Sequence, residues 1–198
     1  MGAVNTVVFR GGRAIGHNTD GSGWAWGFRR ALPQADLSRV VLLGAGGAGS
    51  AIAHAVLRLG AAQLVIVDRE AERAEAAAAA LDAAYGPGRV RADTDAARAL
   101  RGASGLIHAT PTGMDKLPGL PLPAGLLRPE LWVAEIVYFP LHTELLRAAR
   151  ARGCATVDGG TMAVGQAIGA FELFTGRPAD AARVEAHFRG LLGERQAA

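Results

Sequence analysis

Gly44, Gly46 and Gly49 stand in the spacing G-x-G-x-x-G directly after the apolar run Val40–Leu43, and Asp68 closes the next apolar run, Leu64–Val67. Glycines at these places permit a tight turn from strand to helix, admit a pyrophosphate to the backbone amides, and let the helix lie close on the strand. A carboxylate about 20 residues further on is placed to bond the hydroxyls of a ribose. The chemistry implied is capture of a dinucleotide by Gly44, Ala45, Gly46, Gly47, Ala48 and Gly49, with Asp68 and Arg69 at the adenosine end. A structural βαβ unit with an idle glycine turn is the alternative that the pattern alone leaves open.

Further polar residues fall where other apolar runs stop: Thr110 after Gly105–Ala109, Tyr138 after Leu131–Val137, and Asp158 after Ala155–Val157. In an open parallel sheet, ligands bind outside the carboxyl ends of the strands. Thr110, Pro111, Thr112, Gly113 and Met114 would then lie beside the nicotinamide half of a bound dinucleotide. His108 reads as a hydrogen-bonded structural residue and Cys154 as a buried, inert thiol. No His, Cys or carboxylate spacing is suited to a transition metal.

The elements that must position these residues alternate regularly. Ala3–Phe9 and Ala14–His17 flank the turn Arg10–Arg13 as a hairpin. Trp24, Phe28 and Leu32 recur at helical spacing before Pro33, and the short polar residues Thr19 and Asp20 ahead of them suit an N-cap or Asx turn. From Arg39 onward, short apolar runs alternate with helical patterns over 47–59, 70–84, 95–100, 141–152 and 161–174, with a last amphipathic helix carrying Val184, Phe188, Leu191 and Leu192. That alternation predicts a doubly wound α/β fold, a parallel sheet with helices on both faces. Pro111–Pro123, rich in proline and glycine, is predicted to be the longest loop.

Composition narrows the partners. The chain has 198 residues, 50% of them hydrophobic, enough for a full core. The formal charge of +3 comes from scattered arginines, with Lys116 the only lysine, so no nucleic-acid track is expected. One cysteine, no leader pattern and no apolar run of 18 residues point to a reducing cytoplasm with neither export nor membrane insertion.

Six ordered segments resemble the shikimate/quinate dehydrogenases: Gly2-Ala3-Val4-Asn5-Thr6, Asn18-Thr19-Asp20-Gly21, Gly44 through Gly49, Ala109-Thr110-Pro111-Thr112-Gly113-Met114, Val137-Tyr138-Phe139-Pro140, and Asp158-Gly159-Gly160-Thr161-Met162 through Gln166. The resemblance covers nearly the whole chain. It implies a Rossmann-type cofactor domain over residues 34–160, preceded by part of a substrate domain and a connecting helix at 1–33, and followed at 161–198 by helices that pack back toward the substrate domain. It implies reversible hydride transfer between a nicotinamide cofactor and a ring secondary alcohol, shikimate or quinate.

By the same resemblance Asp20 is catalytic, as one member of a Lys–Asp pair, and Asn5, Asp20, Tyr138 and Gln166 bind substrate. Val137, Gly159 and Met162 join the glycine turn, Asp68, Arg69, Thr110, Pro111, Thr112 and Met114 in holding the cofactor. NADP-using members carry Asn-Arg-Ser/Thr after the second strand, whereas this chain has Asp68-Arg69-Glu70. A carboxylate there bonds ribose hydroxyls and repels a 2′-phosphate, so NAD is the expected cofactor, with NADP kept in play by Arg69.

The family's catalytic lysine lies in a domain ahead of the Ala-Val-Asn-Thr motif, and Lys116 does not match its position. The alternative expectation is therefore a dinucleotide-binding module without turnover. The hairpin at 3–17 presents an edge to be covered by a preceding domain or by a second copy in a homodimer.

Overall fold

The computed structural model describes residues 3–197, and side chains through 192. Gly2, part of the first motif quoted above, lies outside the described residues. β1 (Thr6–Arg10) and β2 (Arg13–His17) form an antiparallel hairpin, and α1 (Asp20–Ala31) leads from it into β3 (Arg39–Leu43). There follow α2 (Gly47–Arg58), β4 (Gln63–Val67), α3 (Ala71–Tyr85), β5 (Val90–Asp93), α4 (Ala96–Ala99) and β6 (Gly105–His108). After the long loop come β7 (Trp132–Glu135), α5 (Glu144–Ala151), β8 (Thr156–Val157), α6 (Gly159–Thr175) and α7 (Ala181–Ala197).

The large sheet has the order β5-β4-β3-β6-β7-β8, and each adjacent pair is parallel. The order reverses between β3 and β6, where the crevice of a doubly wound sheet opens. Its central strands β3 and β4 are apolar apart from their first residues because both faces are covered. Val40 and Leu42 of β3, with Leu64 and Ile66 of β4, face the core shared with α1, α2 and α3. Val41, Leu43, Val65 and Val67 alternate to the opposite core, under α5 and the 122–131 segment. Each fully buried Leu or Ile contributes roughly 1.5–3 kcal/mol.

α1 is tied to the sheet through aromatic rings. Trp24 stacks on Phe28 at 4.7 Å, and Phe28 meets Trp132 of β7 edge-on at 4.8 Å. Trp132 occupies the space above Gly105, where a Cβ would sit 2.0 Å from its ring.

β1 begins at Thr6 rather than Ala3, and three further boundaries differ from the sequence reading because a side chain captures backbone amides. β7 stops at Glu135 rather than running to Val137, since Glu135 Oε1 accepts the amides of Ile136 and Val137 at 2.9 and 3.0 Å. α5 starts at Glu144 rather than Leu141, capped by Thr143, whose Oγ1 accepts from the Leu146 amide. α6 starts two residues early because Asp158 caps it, Oδ1 accepting from the Thr161 amide at 3.2 Å. Asp20 is the first residue of α1 and not its side-chain cap; Asn18 makes the local turn instead, accepting from the Asp20 amide at 3.0 Å.

Candidate active site at the strand ends

The glycine turn lies at the carboxyl end of β3, and its three glycines answer to three separate constraints. Gly44 has φ +100°, and a Cβ there would meet the Ala109 carbonyl oxygen at 2.6 Å. Gly49 sits so close beneath the turn that a Cβ would fall 2.0 Å from the Gly44 oxygen. At Gly46 and Gly47 nothing lies within 4 Å, so the surface above them is open.

α4, α5 and α6 have capping side chains in Asp95, Thr143 and Asp158, whereas α1, α2 and α3 have none, and of these three it is α2 that follows Gly46, above which the surface is open. The first-turn amides of α2 are therefore left to a ligand, and the helix dipole favours an anion there. Open space and uncapped amides are what a pyrophosphate needs, so these residues fit the dinucleotide that their spacing implies.

Asp68 stands beside this turn. Its Oδ2 accepts from the Ala45 amide at 2.9 Å and its Oδ1 from the Glu70 amide at 3.1 Å, with Arg73 3.9 Å away. Burial pushes its pKa up, but the two amide hydrogen bonds and the charges of Arg73 and Arg69 outweigh this and hold the carboxyl below its ordinary value. The Arg69 side chain is 91% exposed at the rim.

A second cluster forms where the hairpin, α1 and α6 meet. Asn5 donates from Nδ2 to Asp20 Oδ1 at 2.9 Å and to Thr19 Oγ1 at 3.1 Å, while its own Oδ1 accepts from the Thr19 amide at 2.9 Å. Gln166 donates from Nε2 to the same Asp20 Oδ1 at 2.5 Å. Among the described residues Asp20 Oδ2 takes no hydrogen bond, so that oxygen is available to a ligand hydroxyl.

The cluster depends on an unusually close helix crossing. A Cβ at Gly165 would lie 2.4 Å from the Gly23 oxygen, and one at Gly23 would lie 2.5 Å from the Gln166 amide nitrogen. On its other side α1 touches α2, a Gly21 Cβ falling 2.7 Å from the Ala51 oxygen, which sets Asp20 near the start of the phosphate-turn helix.

The structure thus brings together Asn5, Asp20 and Gln166, and separately Gly44–Gly49 with Asp68 and Thr110. Tyr138 sits on the loop after β7, exposed, its ring 6.5 Å from that of Phe188, and no hydrogen bond joins it to Asp20 among the described residues. Val137 is buried, and Gly159 lies so near it that a Cβ would meet the Val137 oxygen at 2.4 Å. Met162, expected at the nicotinamide, is 6% exposed and packs in the core with Trp24 and Val157. Met114 and Pro111 are exposed on the loop after β6, with Thr112 half-buried, and the Thr112 amide reaches Thr110 Oγ1 at 3.3 Å.

Sequence reasoning missed Thr19 as a partner of Asn5, and it missed what His108 does. His108 is fully buried and bonded to Glu135 on one side and Thr110 on the other. A lone polar residue set into each of two apolar runs, His108 and Glu135, was the available signal. Among the described residues no group of His, Cys, Asp and Glu is placed to hold a metal, and no helix is long and apolar enough to cross a membrane.

The strand order, the glycine turn at the switch point and the carboxylate after β4 define a Rossmann domain of the dinucleotide-binding class. A family model described as NADP oxidoreductase coenzyme F420-dependent matches residues 39–115, which span β3 to the loop after β6. Over far more of the chain, a shikimate dehydrogenase (NADP(+)) of Streptomyces avermitilis is 59% identical, covering 98% of this chain and 67% of that protein. A quinate/shikimate dehydrogenase (NAD(+)) of Corynebacterium efficiens is 44% identical over 96% of this chain and 68% of its own length. The solved quinate dehydrogenase of Corynebacterium glutamicum in complex with NAD superposes with a TM-score of 0.90 at 42% identity, covering 96% of this chain and 68% of that one. The chain belongs to the shikimate/quinate dehydrogenase family.

Proposed function

We propose that the chain carries the cofactor-binding and part of the substrate-binding machinery of a nicotinamide-dependent dehydrogenase acting on the ring secondary alcohol of shikimate or quinate. The observation that carries this reading is the convergence of Asn5 and Gln166, 161 residues apart in sequence, on one oxygen of Asp20. A bound nicotinamide supplies the hydride acceptor or donor. Asp20 has its Oδ1 fixed by two amides, so its Oδ2 lone pairs are aimed by the fold and not by the side chain's own torsion. A carboxylate held so accepts the substrate hydroxyl proton as a hydrogen bond and orients the carbinol for loss of hydride. Gln166 retains one amide N–H and its carbonyl for neighbouring ring hydroxyls, whereas both Nδ2 hydrogens of Asn5 are engaged by Thr19 and Asp20, so Asn5 serves the site by holding Asp20. Tyr138 and the Thr110–Met114 loop flank the same strand ends.

On the cofactor side, Asp68 is an ionised acceptor at the ribose end of the crevice, which favours NAD over NADP. Relatives of both preferences support keeping the two cofactors in the test. Assay of the full chain with shikimate or quinate and either cofactor is expected to show reduction of NAD. The reading is contradicted by a chain that binds neither cofactor.

Dissociation constants are expected to be smaller for NAD than for NADP. Asp68→Asn should shift their ratio toward NADP by about 10- to 100-fold, the worth of one charge-assisted hydrogen bond. Tighter NADP than NAD binding by the unaltered chain contradicts the cofactor preference.

A further inference from the structure

The dinucleotide reading above implies a direction for the ligand. With the pyrophosphate at Gly44–Gly49 and the adenosine ribose at Asp68 on the β4 side, the nicotinamide half extends over the ends of β6 and β7. Beneath those ends lies a buried polar chain. β6 and β7 pair in parallel with His108 level with Glu135. The two side chains are 0% and 1% exposed.

Glu135 is saturated with donors. Its Oε1 lies 2.8 Å from His108 Nδ1 and accepts the Ile136 and Val137 amides, while its Oε2 accepts the Thr143 hydroxyl at 3.0 Å. The histidine tautomer is assigned from these partners: Nδ1 carries the proton toward the carboxylate, leaving Nε2 an acceptor. Thr110 Oγ1 lies 2.5 Å from that nitrogen and also accepts from the Thr112 amide. On its far side, Thr110 Cγ2 borders the phosphate turn, 3.1 Å from where a Gly44 Cβ would be. Burying a His–Glu pair is a poor route to stability, because apolar residues of similar volume often do as well.

We propose that His108 is a positioning residue for the nicotinamide half of the cofactor: anchored by Glu135 and Thr143, it draws the Thr110 hydroxyl proton inward. Thr110 then offers the crevice an acceptor and no donor. The matching ligand group is an amide N–H, such as that of the nicotinamide carboxamide. The same carboxylate pins Ile136 and Val137 at the end of β7, so one buried group sets both strand-end segments that flank the crevice.

The test compares NAD with ADP-ribose, which lacks the nicotinamide, by titration calorimetry on the full chain. Thr110→Val keeps the shape of the loop and removes the hydroxyl; His108→Leu removes the anchor. Each is expected to weaken NAD about tenfold while ADP-ribose stays within about twofold, and the double variant is expected to be no worse than either single one, because the two residues act in series. Unchanged NAD affinity in Thr110→Val overturns the proposal, as does equal weakening of NAD and ADP-ribose. A wild-type chain that binds ADP-ribose and NAD equally well also overturns it while leaving the dinucleotide site standing. One that binds neither overturns the dinucleotide reading itself.

Discussion

The phosphate turn and the Asp20 corner are assembled in opposite ways. The turn is local: Gly44 to Gly49 and the carboxylate at 68 lie within one βαβ unit, and their geometry follows from how a strand passes into a helix. The Asp20 corner is built from residues 5, 20 and 166, which are joined by a hairpin, a helix crossing and the whole intervening sheet. The first can form wherever β3, α2 and β4 form. The second exists only when α6 returns across the molecule to α1, so it is the part most exposed to distant packing changes.

Substitutions can separate the two. The largest effect is expected for Asp20→Ala, which should lower kcat by about 10²- to 10⁴-fold, the usual worth of acid–base assistance, with the NAD dissociation constant unchanged. Steady-state kinetics alongside a binding titration checks this; a matching loss of NAD affinity would merge the two regions into one. Next comes Gly165→Ala, whose added Cβ meets the Gly23 backbone at 2.4 Å. Separation of α1 from α6 should destabilise the chain by about 1–3 kcal/mol, and it should weaken substrate binding more than NAD binding. Urea unfolding and paired titrations report the two effects.

The smallest effect is expected at an ion pair on the strand next to Asp68, where Asp93 closes β5 and its carbonyl accepts the Asp68 amide at 3.3 Å. The Arg98 guanidinium hydrogen-bonded to Asp93 holds its carboxyl at about 2, below its ordinary 3.8. Because the folded value lies below the unfolded one, the stabilisation is complete above about pH 4 and is lost as pH falls through 2. Asp93→Asn should flatten that acid limb, and only modestly, since the Arg98 side chain is 55% exposed. Thermal melts at pH 2.5 and pH 6 measure it.

The same contrast explains what could be read from the sequence. The parallel sheet, the hairpin and the glycine turn were legible because each is written in consecutive residues, as apolar runs, a turn pair and a fingerprint. The ends of β7, α5 and α6 were misplaced by a few residues, since Glu135, Thr143 and Asp158 compete for backbone amides that a periodicity argument assigns to the ladder or the helix. Asp20 and Gln166 could be put together only through the resemblance to the family; no local pattern says that Gly23 and Gly165 touch. His108 was read correctly as hydrogen-bonded, but its partner Glu135 looked like one more strand residue, because register between strands 27 residues apart is not a sequence property. Met162, put at the nicotinamide through the resemblance alone, lies in the structure with its side chain packed beside Trp24 and Val157.

The central claim, that Gly44–Gly49 is a pyrophosphate site, is tested most directly at Gly46. Its φ of −73° suits any residue and nothing lies within 4 Å of an added Cβ, so Gly46→Asp should leave the melting temperature within a degree or so of the parent, as for a surface change. The new carboxylate occupies the anion's place at an uncapped helix start. Calorimetric titration with NAD is expected to show one-to-one binding by the parent chain and none by Gly46→Asp at the same concentrations. Undiminished NAD binding by a folded Gly46→Asp chain would contradict the assignment of the turn.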